Sequence, residues 1–288
     1  MNTIETTIIE NEATLRLSVF LGMLVLIGLW EWLAPRRAPK LSKLLRWSHN
    51  LGLVVINSLL LRLVFPAAAV GMASYTSEHQ WGLFNALQLP SVIEVIAAVI
   101  LLDLIIYLQH VLIHAVPALW RLHRVHHADQ DYDVTTGLRF HPIEILLSMI
   151  IKFAAIAALG PAVLAVIIFE VLLNGMAMFN HGNIRLPGSV DKLLRWFIVT
   201  PDMHRVHHSV EDDETNSNFG FNLSCWDRLF GTYRNQPRLS HESMHIGIHH
   251  FTESKQTNQL PGMLMIPFTG GNSGYAINRR SWNKNHED

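Results

Sequence analysis

The sequence predicts an all-α protein, an integral-membrane helical bundle with three membrane spans, a helical hairpin and a cytoplasmic helical cap. Half of the 288 residues are hydrophobic and only 16% are charged, against roughly 25% in ordinary soluble domains. The apolar residues are bunched into long runs instead of recurring at a helical or strand period. The 17 histidines are clustered in the polar segments and at the end of one apolar run.

Charge and cysteine content exclude several classes of protein. The formal net charge is −1, so we expect no nucleic-acid partner. Cys225 is the only cysteine. An intrachain disulfide and a zinc-finger type of thiolate site are therefore excluded.

Three apolar runs are predicted to cross the membrane, because each can span ~30 Å of hydrocarbon. They cover residues 15–33, 51–73 and 92–113. The loop between the first two carries five basic residues at 36–46 and no acidic residue, whereas the 75–90 loop has no Lys or Arg. The positive-inside rule therefore places the 36–46 loop in the cytoplasm and the N-terminus and the 75–90 loop outside.

A fourth apolar region, 143–179, is interrupted by Gly160 and Pro161. Because proline ends or kinks a helix, this region is predicted to be a helical hairpin that either crosses the membrane or only dips into it. Residues 185–199 are predicted to form an interfacial amphipathic helix, and the polar chain that follows is predicted to be cytoplasmic. The resulting division has N-terminal membrane helices at 1–90, a catalytic domain at 91–250 and a C-terminal tail at 251–288.

Three histidine motifs indicate a metal site. On a helix, positions i, i+3 and i+4 share one face, so each motif directs its imidazoles to one side. The predicted topology brings all three motifs to the cytoplasmic face of the membrane. The motifs are His110-x-x-x-His114, His123-x-x-His126-His127 and His204-x-x-His207-His208.

A single buried histidine is usually an ordinary core residue, but eight converging imidazoles without a metal would lack hydrogen-bond partners. Shared between two metals, they supply about four nitrogens to each and leave positions open for a reactant. Imidazole suits zinc, copper, iron and nickel alike. The His-Glu-x-x-His signature of zinc proteases is absent, and the motifs lack the carboxylates of soluble di-iron bundles. The residues alone therefore predict a polyhistidine, dinuclear membrane site without naming the metal.

The three motifs resemble the histidine signature of the fatty acid hydroxylase/sterol desaturase superfamily, over roughly residues 90–250. Four neighbouring stretches match as well: DYDVTTGLRFHPIE at 131–144, NHGNIRLP at 180–187, TPDMH at 200–204 and WDRLFGTY at 226–233. The resemblance is strongest to the bacterial branch, which implies a bacterial inner membrane. The positive-inside rule places the active site on its cytoplasmic face.

The resemblance implies two iron ions that activate O2 and hydroxylate, or desaturate, a lipid C–H bond. Fatty acyl chains, sterols, sphingolipids and isoprenoids are all substrates within the family, so membership does not identify the lipid. Zinc is a conceivable substitute for iron. A cytochrome b5 domain, which some relatives carry, is not recognised in this sequence, so electrons are expected from a separate electron-transfer protein.

Residues outside the motifs have open roles. His181 lies where related enzymes often place a further ligand, and it is expected to be either a ligand or a donor to one. His141, which precedes Pro142, is a weaker candidate ligand. Asp103, Tyr107 and the first motif share one helical stripe. Asp103 is thus a candidate to orient a ligand histidine, with pairing to another buried polar group as the alternative.

Two other classes of function stay open on the sequence. One is a membrane zinc hydrolase, for which the motifs offer no carboxylate base at a fixed spacing. The other is a metal-binding protein without a reaction, which should spread its ligands across the bilayer depth. Four further histidines are expected to lie on a solvated surface instead of in the site, namely His241, His245, His249 and His250.

Overall fold

The computed structural model describes residues 3–270 and 276–277, and within these ranges regular structure is entirely helical. The α-helices are α1 Thr3–Glu10, α2 Glu12–Leu33, α3 Lys43–Val64, α4 Ala68–Glu78, α5 Leu83–Leu87, α6 Ser91–Ala115, α7 Pro117–His127, α8 Pro142–Leu159, α9 Val163–Asn180, α10 Gly188–Leu194, α11 Pro201–His207, α12 Asp212–Thr215, α13 Cys225–Leu229, α14 Ser254–Asn258 and α15 Leu260–Met265. Short 3-10 helices occupy Thr136–Leu138 and Ile266–Phe268. The predicted all-α class is confirmed.

Five segments of the described chain are long and apolar enough to cross a membrane. They are Glu12–Leu33, Lys43–Leu87, Ser91–Ala115, Pro142–Leu159 and Val163–Asn180. These correspond to the three predicted spans and the two arms of the predicted hairpin. The second segment begins earlier than its apolar run, because the Ser42 hydroxyl accepts the Leu45 N–H and caps α3 at Lys43. The break between α3 and α4 contains Pro66.

The hairpin turns at Gly160, whose φ of +57° suits glycine. The segment before α6 packs against this turn: the side chain of Asn85, in α5, donates to the Gly160 carbonyl at 3.1 Å. Glu94 accepts the Ala162 N–H at 2.8 Å. The 79–90 loop and the hairpin turn therefore lie together at one end of the bundle.

The opposite end of the bundle is fixed by a buried ionic network. The Arg46 guanidinium donates to both carboxylate oxygens of Asp129, at 3.0 and 2.6 Å, and to Asp133 at 2.5 Å. Glu31, at the end of α2, accepts the N–H groups of Val134 and Asn183 at 2.6 and 2.9 Å. These contacts attach α2 and α3 to the loops that follow α7 and α9.

Two predicted segments differ in detail from the observed structure. The predicted interfacial helix at 185–199 is regular only over Gly188–Leu194, although Leu193, Trp196 and Phe197 do present exposed apolar side chains. The described part of residues 251–288 packs on α7 and α3, where Phe251, Met263, Ile266 and Ala276 join one apolar core with Leu53 and Trp120. Residues 271–275 and 278–288 of that predicted tail lie outside the described residues.

Candidate metal centre

Three helices present the histidine motifs to one space. The first motif occupies the last turns of α6. Pro117 starts α7 at its first turn, where a missing N–H costs nothing, and α7 carries the second motif. Thr200 caps α11 by accepting the Met203 N–H at 3.3 Å, and Pro201 follows at its first position. Short, well-capped helices thus fix the directions of the second and third motifs.

Nine buried imidazoles form two clusters, in each of which the candidate ligand atoms all lie within 4.8 Å of one another. The first cluster is His110, His114, His123, His127 and His207, and the second is His126, His181, His204 and His208. All eight motif histidines are included. His181 completes the second cluster.

The spacing within the clusters is that of atoms sharing an ion. The Nε2 of His181 lies 3.1 Å from those of His126 and His204, and 3.2 Å from that of His208. The Nε2 atoms of His110 and His123 are 3.3 Å apart. Two nitrogens bound to one ion at ~2.1 Å lie roughly 3.0–3.4 Å apart. The structure therefore fits one metal in each cluster.

Four imidazoles are fixed with Nε2 directed inward. Their Nδ1 atoms lie 2.7–2.8 Å from oxygen acceptors outside the clusters: the carbonyls of Phe219, Ser217 and Ala177, and the Glu144 carboxylate. A carbonyl cannot donate, so Nδ1 must carry the proton and Nε2 is left with its lone pair. The pairs are His110 with Phe219, His207 with Ser217, His181 with Ala177 and His123 with Glu144.

The same arrangement is unfavourable as a hydrogen-bonded cluster without metal. With its Nδ1 proton given to Ala177, the neutral His181 ring has no proton on Nε2, yet three other Nε2 atoms surround that lone pair. His127 and His207 are buried with an Nε2 that has no hydrogen-bond partner. Buried polar atoms are normally paired, and ligation of a metal would account for these orphaned nitrogens.

Burial keeps the imidazoles in the form that binds metal. It lowers the pKa of His181 to about 3. Burial, together with repulsion from neighbouring imidazoles, also holds the pKa well below its ordinary value of 6.5 at His126, His127, His204, His207 and His208. Neutral imidazole is the ligand form of histidine.

Aromatic side chains close the clusters off from water. The ring of Phe140 stacks on His126 with centroids 4.6 Å apart. Phe219 presents its edge to His110, His114 and His207 at 5.1–5.5 Å. Such walls lower the local dielectric constant and strengthen electrostatic interactions within the site.

Asp103 and Tyr107 do not contact an imidazole. The Asp103 carboxylate accepts the N–H groups of Asn222 and Leu223 and the indole N–H of Trp226, at 3.3, 3.1 and 2.8 Å. The Tyr107 hydroxyl lies 2.8 Å from the Thr232 hydroxyl. Asp103 thus contacts the loop that contains Ser217 and Phe219, and Tyr107 contacts the segment that follows α13. The buried polar pairing considered as the alternative for Asp103 is what the structure shows.

The carboxylate that does contact an imidazole is Glu144, which is not among the candidate site residues predicted from the sequence. Its sequence signal is an acid in an otherwise apolar membrane segment, which typically marks a functional site. The sequence does not indicate that the carbonyls of Ser217, Phe219 and Ala177 contact imidazoles, since every residue has a carbonyl.

Histidines outside the motifs divide into buried and exposed ones. His141 caps α8 by accepting the Ile143 N–H at 3.2 Å, and its Nε2 lies 3.3 Å from the Leu264 carbonyl, so it is in neither cluster. His245, His249 and His250 are exposed as expected, but His241 is buried, 3.8 Å from Asp202. The expectation of a solvated surface is therefore wrong for His241, which is buried beside Asp202 of α11, the helix that carries the third motif.

A cavity of about 290 Å³ connects the clusters with the interior of the helical bundle. His110 and His123 of the first cluster line it, together with His126 and His204 of the second. Elsewhere its wall contains apolar side chains of α2, α3, α6, α8 and α9, among them Phe20, Val54, Leu61, Ile106, Ile145, Met149 and Leu173. The wall of this cavity is therefore mostly apolar and includes imidazoles of both clusters.

Comparison with known proteins identifies a family and several proteins to which this chain is similar. The sequence model of the fatty acid hydroxylase family matches residues 95–232. An ornithine lipid hydroxylase of Rhizobium tropici is 32% identical over 190 residues, which are 64% of this chain and 54% of that protein. An alkylglycerol monooxygenase of Xenopus tropicalis is 30% identical over 132 residues, 44% of this chain and 27% of that protein.

Methylsterol monooxygenase 1-3 of Arabidopsis thaliana is 28% identical over 183 residues, 60% of this chain and 61% of that protein. The aligned part thus spans about half the length of the Rhizobium relative and about a quarter of the Xenopus one. No solved structure matches the chain. The matched segment 95–232 contains all nine clustered histidines, so over this segment the resemblance of the chain to the fatty acid hydroxylase family is confirmed.

Proposed function

We propose that this chain is a membrane-bound, oxygen-dependent di-iron oxidoreductase that hydroxylates a lipid C–H bond. The observation that carries the proposal is the cavity, whose apolar wall meets imidazoles of both clusters. The relatives named above are, by name, hydroxylases or monooxygenases of an ornithine lipid, of alkylglycerols and of methylsterols. Their shared feature is a lipid substrate.

In the proposed site the first cluster holds one iron through up to five nitrogens, and the second holds the other through four. When bound, the two irons supply the activation of O2 that protein side chains cannot perform. Hydroxylation converts C–H and O2, with two electrons and two protons, into C–OH and water. The electrons have to come from a donor outside the described residues, and we propose a separate electron-transfer protein.

The protein's own residues have three tasks in this reaction. Glu144 and the three carbonyls hold ligand imidazoles in one tautomer and orientation. Phe140 and Phe219 exclude water from the metals. The cavity wall aligns an acyl, sterol or isoprenoid chain so that one methylene faces the clusters, and this proximity replaces an unfavourable bimolecular encounter.

A zinc hydrolase is the competing function, and Glu144 places a carboxylate beside the cavity that could act as its base. However, catalytic zinc usually has three protein ligands and an open position, whereas the clusters present four and five imidazoles. A metal-binding protein without a reaction would not require a cavity that leads to both clusters. The geometry therefore favours the oxygenase.

The test is to supply ¹⁸O2 and a chemical or protein reductant to iron-loaded protein reconstituted with a lipid extract. Label in a new hydroxyl group supports hydroxylation. An unlabelled new double bond formed with consumption of O2 supports desaturation at the same site. Turnover that consumes no O2 contradicts the oxygenase, and turnover with zinc alone supports the hydrolase.

A further inference from the structure

A basic cleft lies at the end of the bundle that carries the histidine motifs, but outside the metal centre. It has a volume of about 670 Å³ and lies between α10, the start of α11 and the segment that follows α13. None of the described residues on its wall belongs to a metal cluster. The wall contains five cationic side chains and two carboxylates, namely Arg36, Arg185, Lys192, Arg195 and Arg228 with Asp191 and Asp202.

The carboxylates at this cleft are already matched by guanidinium groups. Both carboxylates of the wall form ion pairs, and a third, which is not on the wall, pairs with one of its cations. A buried arginine outside the wall pairs with one carboxylate as well, so three carboxylates contact three guanidinium groups. The pairs are Asp191 with Arg195 at 2.7 Å, Asp202 with Arg36 at 3.1 Å and with Arg205, and Glu242 with Arg36.

Three cations of the cleft remain. Within the part of the chain that the structure describes, Arg185, Lys192 and Arg228 have no ion pair with a carboxylate. Asp227 precedes Arg228, but its carboxylate accepts two main-chain N–H groups at 2.7 and 2.8 Å. Counting Asp227 against Arg228 still leaves Arg185 and Lys192 unbalanced. The cleft therefore has an excess of positive charge.

Two guanidinium groups of the wall have donors without an acceptor among the described residues. The Arg195 side chain is only 4% exposed, and its Nη1 donates to the Asn235 carbonyl at 2.6 Å, but its Nη2 is unpaired. Arg228 lies 4.4 and 3.9 Å from the ring centroids of Trp196 and Tyr233, and its buried Nε is also unpaired. Buried donors are normally paired, and a guanidinium group fixed by stacking offers its N–H edge to an oxyanion. The free donors favour a phosphate group as the ligand.

Apolar side chains next to the cleft lie at the depth of a membrane span. The Trp226 indole N–H donates to Asp103 of α6 at 2.8 Å, and the Phe230 ring stacks on Tyr107 with centroids 5.3 Å apart. Tyr107 lies eight residues before the end of α6 at Ala115, about 12 Å at the helical rise, so α13 packs beside the span and not beyond its end. The exposed apolar side chains of this region are Leu193, Trp196, Phe197, Leu229 and Phe230. They are placed to contact lipid, and the cleft beside them lies at the level of lipid headgroups.

We propose that the cleft binds the phosphate group of an anionic phospholipid of the surrounding leaflet. Arg185 and Lys192 attract the headgroup, as basic side chains near a membrane surface do, and Arg195 and Arg228 donate hydrogen bonds to the phosphate oxygens. The acyl chains of the lipid then continue along the exposed ring of Trp196. A lipid fits better than an acidic soluble protein, because the apolar side chains beside the cleft lie at membrane depth. The inference requires only the membrane spans, and neither metal binding nor turnover enters it.

The test is native mass spectrometry of the purified protein in detergent, titrated with two lipids that have the same dioleoyl chains. Phosphatidylglycerol is the anionic probe and phosphatidylcholine the zwitterionic one. Phosphatidylglycerol should bind about fivefold more tightly, because the choline ammonium brings a further cation to a positive wall. Inorganic phosphate lacks acyl chains and should not displace the lipid at equal concentration. Equal affinity for the two lipids, or displacement by inorganic phosphate, overturns the inference.

The double variant Arg185→Gln/Lys192→Gln removes two exposed cations and should fold normally. Its affinity for phosphatidylglycerol should fall about tenfold, while its affinity for phosphatidylcholine stays unchanged. Lys40→Gln/Lys255→Gln is the matched control, because it removes the same charge from exposed positions outside the cleft, and it should bind like the wild type. Unchanged affinity of the cleft variant, which is the result expected if the cleft serves an acidic soluble protein, overturns the inference. Equal losses in the two double variants overturn it as well, since they show that net charge and not the cleft attracts the lipid.

Arg228→Lys separates a built phosphate site from simple attraction of charges. The variant keeps the charge but replaces a planar group with five N–H donors by an ammonium with three. Affinity for phosphatidylglycerol should fall about tenfold, the contribution of one hydrogen bond to a charged group. Thermal unfolding without added lipid checks that the fold is retained, and if it is not, Arg185→Gln/Lys192→Gln decides the matter. Wild-type affinity in a folded Arg228→Lys protein overturns the inference.

Discussion

Glu144 accepts a hydrogen bond from the Nδ1 of His123 at 2.7 Å, and both side chains are buried. His123 lies on α7 and Glu144 on the first turn of α8, so this contact couples the membrane hairpin to the candidate metal centre. The Nδ1 atoms of His110, His181 and His207 contact main-chain carbonyls instead. The His123 imidazole is thus oriented by a side chain that a single substitution can change.

Glu144→Gln should weaken metal binding, because a neutral amide makes the attached imidazole a poorer ligand than a carboxylate does. Losing such a partner typically reduces metal affinity by about 10- to 100-fold. The measurement is the iron content after dialysis against a graded series of chelator concentrations. Glu78→Gln, an exposed change at the other end of the bundle, is the control. Equal chelator resistance of the two variants would show that Glu144 does not support a ligand.

Single substitutions of His181 and His141 should separate a ligand from a helix cap. His181→Ala removes one of four imidazoles from the second cluster, so the metal content should fall from two per chain towards one. His141→Ala removes the cap of α8 and the contact with the Leu264 carbonyl, but it should retain both metals, with a stability loss of ~1 kcal/mol from the cap. Metal analysis of both variants decides the matter, and a wild-type metal content in His181→Ala would exclude it as a ligand.

Substitution of any motif histidine by Ala should abolish most activity while the protein still inserts in the membrane. Each such imidazole is one of the four or five that the geometry assigns to a metal. Activity per inserted molecule is measured for all eight single variants, from His110→Ala to His208→Ala. Wild-type activity in two or more of them would refute the assignment.

The sequence predicts the bundle well because membrane spans follow from the length of apolar runs alone. It also predicts the motif histidines as a group, since their spacing on a helix is local. The role of His181 could not be predicted, because its position beside His126 depends on the tertiary fold, which brings the end of α9 close to α7. Glu144 and the Phe219 carbonyl were missed for the same reason: their partners are 21 and 109 residues away, and only the tertiary fold brings them together.

Acidification should destabilise the metal-free protein. The pKa of His181 in the folded chain is about 3, and those of His126 and His204 are also well below 6.5, so below pH ~6.5 the unfolded chain binds more protons than the folded one. The stability contributed by the neutral imidazoles is therefore complete above pH ~6.5 and is lost progressively towards pH ~3. Thermal unfolding in detergent at pH 7.5 and 5 measures it, and identical transitions would contradict this account.

Metal content should fall over the same acidic range. Protons compete with the metal for imidazole nitrogen, although tight coordination moves the loss to lower pH. Iron is measured after equilibration of the holoprotein at pH values from neutral to about 4. Complete retention at pH ~4 would argue against ligands that are mainly histidine.

Arg46→Ala should destabilise the fold strongly. Asp129 and Asp133 would lose their main cation while still buried. Burial alone would raise the pKa of Asp129, and Arg46 and Arg139 together lower it instead. Removing one partner from a buried ion pair costs about 3–5 kcal/mol. Unfolding in detergent measures the loss, and Arg62→Ala, an exposed change on the same helix, should have little effect. A comparable change in both variants would mean that the network does not stabilise the fold.

The candidate metal centre and the 75–90 loop should lie on opposite sides of the membrane. Glu78 ends α4 near the loop that packs on the hairpin turn at Gly160, whereas Asp212 follows the third motif closely. The five basic residues of the 36–46 loop lie at the Asp212 end, where Arg36 pairs with Asp202 at 3.1 Å, and the positive-inside rule assigns that end to the cytoplasm.

In a Cys225→Ser background, which leaves one thiol per variant, Glu78→Cys should react with an impermeant reagent added to intact cells. Asp212→Cys should react only after the membrane is opened. Labelling of both from the same side would contradict the span count, and labelling of Asp212→Cys alone in intact cells would invert the orientation while leaving the bundle itself unchanged.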